Sequence, residues 1–114
     1  MISFCIILIF TLFDYLVHSL SPDYDVPSYY FRNKAIFGTL LCFVTLLIVR
    51  RRSTLVKTAV IATTVSILLQ TRYAIEGYPT WFVLGFLVVH FVTLSGASLA
   101  VLTITDRITP DSLR

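Results

Sequence analysis

Three consecutive arginines, Arg50-Arg51-Arg52, stand between two apolar runs near the middle of this chain. One such charge at the centre of a membrane helix costs about 2.5–3.5 kcal/mol on insertion scales. A triplet therefore marks a place where the chain is outside hydrocarbon. We read it as a cytoplasmic turn between two membrane-spanning helices, and the rest of the topology follows from it. Composition points the same way. The chain is 57% hydrophobic and 13% charged, whereas a soluble domain carries about 25% charged residues. Its mean hydropathy is +0.88. A hydrocarbon core about 30 Å thick takes roughly 20 helical residues per crossing. Four crossings consume most of the 114 residues, which leaves no room for a soluble catalytic domain. The expectation is one all-α domain, a bundle of four transmembrane helices joined by short loops.

The spans are expected at about 2–20, 31–49, 53–71 and 81–105. The first has no basic residue before it and no small-x-small cleavage site after it, so it reads as a retained span, not a signal peptide. Ser21-Pro22 ends it, because proline disfavours helical geometry in the residue before it. Residues 21–33 form a loop with two prolines and two aspartates. Its Tyr24, Tyr29, Tyr30 and Phe31 suit an interfacial aromatic belt. In the second span Arg32 and Lys34 are expected to snorkel to the surface. Gly38 and Cys42, four residues apart, permit close approach of a neighbour. The third span is rich in hydroxyls, with small pairs at Ala59/Thr63 and Ala62/Ser66, and Lys57 reaches back toward the arginines. Thr80 is the expected N-cap of the fourth span. Ser95, Gly96, Ala97 and Ser98 make that span slim, another helix-contact pattern. Cys5 and Cys42 both lie in apolar runs and read as small packing residues, not as a disulfide.

Orientation follows from counting lysine and arginine at the two ends. Arg50, Arg51, Arg52, Lys57, Arg107 and Arg114 fall on the side of the N-terminus; Arg32, Lys34 and Arg72 fall on the other. The positive-inside rule then puts both termini in the cytoplasm. Arg50, Arg51, Arg52 and Lys57 can meet anionic lipid headgroups.

Three residues carry the candidate chemistry. Asp14 and His18 are four apart, hence on one face of the first helix, with Thr11 on that stripe. A carboxylate in a span faces inward and is either functional or paired. His90 lies about nine residues into the fourth span. The first and fourth spans run antiparallel, so Asp14, His18 and His90 can share the outer half of the bilayer. One carboxylate and two imidazoles suit a proton relay or a metal triad. The simpler reading is that Asp14 and His18 hydrogen-bond each other and line a helix contact, or dock on another subunit's polar group. An i,i+4 pair is not specific to any metal motif.

No Ser-His-Asp, nucleotide or cofactor motif is present, and no cofactor or catalytic residue is predicted. The basic residues are not interleaved with aromatics in a polar segment, which argues against nucleic acid as a partner. The expected function is that of a non-catalytic accessory or structural subunit of a larger membrane complex of respiratory, translocation or membrane-oxygenase type. Its partners are then other integral membrane subunits and lipids. The outline, 114 residues with four spans and a carboxylate midway along the first, resembles the small multidrug resistance transporters. That resemblance implies a dimer exchanging protons for cationic drugs, with Asp14 in place of that family's glutamate. The chain departs from the family in its third span, which has no aromatic or glycine-rich turn, and in its sole tryptophan, Trp81, which opens the fourth span. A further alternative is a metal-binding membrane protein built on Asp14, His18 and His90.

Overall fold

The computed structural model describes residues 2–108; Met1 and residues 109–114, Arg114 of the basic count among them, lie outside the described residues. The described chain is all-helical, with α1 (Ile2–His18), α2 (Tyr29–Ile48), α3 (Thr54–Ile75) and α4 (Thr80–Ile108). The local sequence explains where each helix begins and ends. Past His18, the Ser19 hydroxyl folds back to donate to the Tyr15 and Leu16 carbonyls. Pro22 then opens a single 3₁₀ turn, Pro22–Tyr24, capped by Ser21, whose hydroxyl accepts from the Asp23 N–H at 3.2 Å. Ser53 caps α3 by accepting from the Val56 N–H. α3 runs to Ile75, four residues beyond the expected end, and the chain reverses at Gly77, whose φ of 87° suits glycine. Thr80 is not the cap of α4 but its first residue; the Pro79 carbonyl accepts the first helical bond, from Val83. Proline fits there because it has no N–H to satisfy.

α2, α3 and α4 are each long and apolar enough to cross a membrane. α1, at 17 residues, is about 25 Å long and the shortest of the four. The helices pack in a ring, α1 on α2 and α4, α3 on α4 and α2, with the α3–α4 seam the most extensive. The Thr54 hydroxyl, at the start of α3, donates to Asp106 near the end of α4 at 2.6 Å. That bond ties these ends together beside the arginine turn. The molecule measures 48 × 21 × 20 Å.

The interior has two apolar regions. One, toward the arginine end, holds Ile6, Ile7, Phe10, Cys42, Ile61, Ala62, Val65, Leu94 and Ala97. The other, toward the opposite end, is built from Tyr30, Tyr73, Phe82 and Phe86, with Tyr24 and Tyr78 against them. Tyr30 and Tyr73 are therefore core residues, whereas Tyr29 and Trp81 are exposed as belt residues are. The inward stripe of α1 is Ser3, Ile6, Ile7, Phe10, Asp14 and His18, spaced by three and four as a one-sided helix requires. Thr11 lies at its margin.

The small residues divide into two groups. Gly38, Cys42, Ala62, Ser66 and Ala97 are buried in helix seams. Gly96 is not: it faces outward, and a Cβ there would meet nothing within 4 Å. Ala59 and Thr63 also face outward. Around them the surface is apolar, with Leu12, Leu16, Phe37, Leu40, Leu55, Val88, Val92 and Ile104 all exposed.

Candidate functional site

Between the two apolar regions lies a layer of polar side chains, and each helix contributes to it. α1 supplies Asp14 and His18, α2 supplies Lys34, α3 supplies Gln70 and α4 supplies His90. All five are buried, Asp14 and His90 completely. The layer sits roughly 6–8 Å from the ends of α1, α2 and α3 opposite the arginine turn, counting residues at 1.5 Å each. α4 reaches it only after ten residues, because it starts further out.

Asp14 is the hub. Its Oδ2 is ion-paired with the Lys34 ammonium. Its Oδ1 accepts from His90 Nε2 at 2.7 Å. Lys34 is thus not a snorkelling residue. Its stem runs inward because Asp14 offers a counter-charge there, and the ammonium also lies 5.0 Å from the centre of the Tyr73 ring. Two charges that would each be costly in hydrocarbon bury together as a neutral pair.

His90 continues the chain of hydrogen bonds. Its Nε2–H donates to Asp14, so its Nδ1 is the lone-pair nitrogen and accepts from the Gln70 amide. Phe10 meets the ring edge-on at 5.1 Å, closing the layer toward the arginine end. His18 is placed differently. Its Nδ1 donates to the Tyr24 carbonyl, on the 3₁₀ turn that follows α1. Its ring stacks flat on Phe86, centroids 4.2 Å apart and planes 4° from parallel. Its Nε2 faces Asp14 Oδ1 at 3.4 Å and makes no hydrogen bond. Gln70 Oε1 and the Tyr73 hydroxyl are likewise buried without a partner.

The structure therefore brings Asp14, His18 and His90 together, with one ligand atom from each lying within 4.8 Å of the others. Sequence reasoning missed Lys34 and Gln70. Gln70 carried a signal, since it is the sole amide in the apolar run of α3; Lys34 was hidden by its closeness to the helix start. The basic residues Arg50, Arg51 and Arg52 take no part in the layer. Arg50 and half-buried Lys57 instead line a groove at the opposite end, with Ile2, Phe43 and Leu102.

A second feature touches the layer from the side. A cleft of about 150 Å³ opens between α2 and α3, lined by Tyr30, Asn33, Lys34, Arg72 and Tyr73 at its polar end and by Phe37, Leu41, Leu68 and Leu69 below. Arg72 is held there by Glu76 at 3.1 Å and by the face of Tyr30. In the loop beyond, desolvation and then the Glu76 carboxylate push the Tyr78 hydroxyl above its ordinary pKa. It therefore stays neutral where it stacks on Phe82. Comparison with protein-family models, curated proteins and solved structures finds no match to this chain.

Proposed function

We propose that this chain is a four-span integral membrane protein with both termini in the cytoplasm, serving as a small non-catalytic subunit of a larger membrane assembly. The observation that carries this reading is the division of its small residues. Gly85 and Gly96 on α4 face outward into open space, and Ala59, Thr63 and Ala100 are also on the surface. Helices in lipid associate by van der Waals packing at such positions, because lipid offers no hydrophobic driving force between them. The internal seams are already closed by a different set, so these outward positions are available to other helices. The hub carboxylate, by contrast, finds its partners within one chain.

Extraction in a mild detergent, followed by sizing and identification of co-purifying chains, tests the reading. Recovery in a defined membrane complex is expected; recovery from the native membrane as an isolated monomer overturns it. A second reading, a dimeric proton-coupled transporter, is favoured by the burial of Asp14 beside two imidazoles. Its test is substrate uptake by Asp14→Asn, where unchanged uptake removes it.

A further inference from the structure

We propose that Asp14, His18 and His90 form a binding site for a divalent transition-metal ion of the zinc class. His18 is the residue that calls for an ion. Its Nδ1 faces a backbone carbonyl, which only accepts, so Nδ1 bears the proton, and in the neutral ring Nε2 bears the lone pair. That lone pair is buried, without a hydrogen bond, and points at Asp14 Oδ1. A neutral imidazole nitrogen and a carboxylate oxygen facing each other in the interior are both acceptors, and a proton or a metal ion between them relieves the contact.

One ligand separation already suits a metal, and all three ligand atoms lie within 4.8 Å of one another. Tetrahedral zinc with nitrogen and oxygen ligands at about 2.0–2.1 Å has ligand–ligand edges of about 3.3–3.4 Å. The His18 Nε2 to Asp14 Oδ1 separation is 3.4 Å, already one such edge. His90 Nε2 to Asp14 Oδ1 is 2.7 Å, a hydrogen-bond length that opens by about 0.6 Å when the ion enters. His90 then moves its proton from Nε2 to Nδ1 and stays neutral. A half-turn of the Gln70 amide presents Oε1, now buried and without a partner, to accept from Nδ1–H. One bound ion thereby satisfies the His18 lone pair and the Gln70 oxygen.

The surroundings match what metal-binding imidazoles need. Such a histidine donates its other ring N–H to a carbonyl or carboxylate, which fixes the ring. Tyr24 provides this for His18, and Gln70 provides it for His90 once its amide has turned. Lys34 occupies Oδ2, not Oδ1, so it does not fill the ligand position but lowers affinity by its charge. Two imidazoles and one carboxylate select zinc and its transition-metal neighbours over magnesium and calcium, which demand oxygen ligands. The cleft between α2 and α3 reaches Lys34 and Tyr73 beside the site and offers a way in.

The test uses the full chain purified in mild detergent, stripped with chelator and titrated with Co²⁺ and Zn²⁺. Expected are one equivalent bound per chain, visible ligand-field bands with Co²⁺ that Zn²⁺ abolishes, and about 100-fold weaker binding in His18→Ala and His90→Ala. Lys34→Met is expected to bind Zn²⁺ about tenfold more tightly, because the ion replaces the lost ammonium; a merely structural layer gives no such gain. Absence of Co²⁺ bands in the unaltered protein overturns the proposal without recourse to any variant. Binding that survives both histidine substitutions, or weakens in Lys34→Met, overturns it as well.

Discussion

Asp14 and Lys34 sit on neighbouring helices, and each is the reason the other can be buried. Removing one partner of such a pair leaves an uncompensated charge and typically costs about 3–5 kcal/mol, whereas removing both is far less damaging. Asp14→Asn is therefore expected to lower stability in a denaturant titration in detergent by about that amount. Asp14→Asn combined with Lys34→Met is expected to recover most of the loss. A double variant no better than the single one would show that the ion pair is not what the layer depends on. Part of this layer was legible in the sequence. Asp14 and His18 stood out through their i,i+4 spacing in an apolar run, and His90 through its depth in α4. Lys34 was misplaced because a lysine near a helix end ordinarily snorkels; only the position of Asp14 on the adjacent helix turns it inward. That is a tertiary fact, and no pattern within α2 encodes it.

At the level of the helices, Gly38 and Gly96 look alike in sequence and differ in the fold. A Cβ at Gly38 would lie 3.2 Å from Ile7 Cγ2, so α1 and α2 meet there with no space to spare. Gly38→Leu is expected to destabilise the protein by about 1–3 kcal/mol through overpacking, and Ile7→Ala in the same chain to restore part of the loss. A thermal melt of the three variants in detergent reads this directly. Gly96→Leu meets open space and is expected to leave the stability of the single chain within about 0.5 kcal/mol. On the subunit reading, the same substitution weakens association with partner helices, as does Gly85→Leu. Loss of co-purifying chains with unchanged folding is the expected pattern; retained assembly in both variants argues against these positions as contacts. Helix number and approximate limits were readable from the apolar runs and their prolines. The extra turn of α3 was not, because Arg72 and Tyr73 look like loop residues until Glu76 and the aromatic region account for them.

For the whole molecule, the polar layer bears on orientation. The positive-inside argument counts charges free to meet the aqueous phases, and the fold removes one of them: Lys34 is neutralised by Asp14 in the interior. Arg72 is bonded to Glu76. Of the three basic residues at the tyrosine-rich end, that leaves Arg32 exposed and without a bonded carboxylate partner among the described residues. At the opposite end Arg50, Arg51 and Arg52 are set in the turn between α2 and α3, with Lys57 one helical turn beyond. Burial of Lys34 thus widens the sequence count of six against three, and the triplet acts through a short loop, where the rule applies. Single-cysteine labelling in intact cells reads this orientation. In a chain lacking Cys5 and Cys42, Ser28→Cys is expected to react with a membrane-impermeant maleimide added outside. Ser53→Cys is expected to react only after the membrane is opened. Ser28 and Ser53 are both exposed and flank opposite ends of α2, so a helix that crosses the bilayer must give opposite results. Labelling of both from outside would mean that α2 does not span; the reverse pattern would mean that the arginine turn faces outward. Substituting glutamine for all three arginines is expected to add a minority of the reversed pattern, because Lys57, Arg107 and Arg114 then stand against only Arg32 and the Glu76-bonded Arg72.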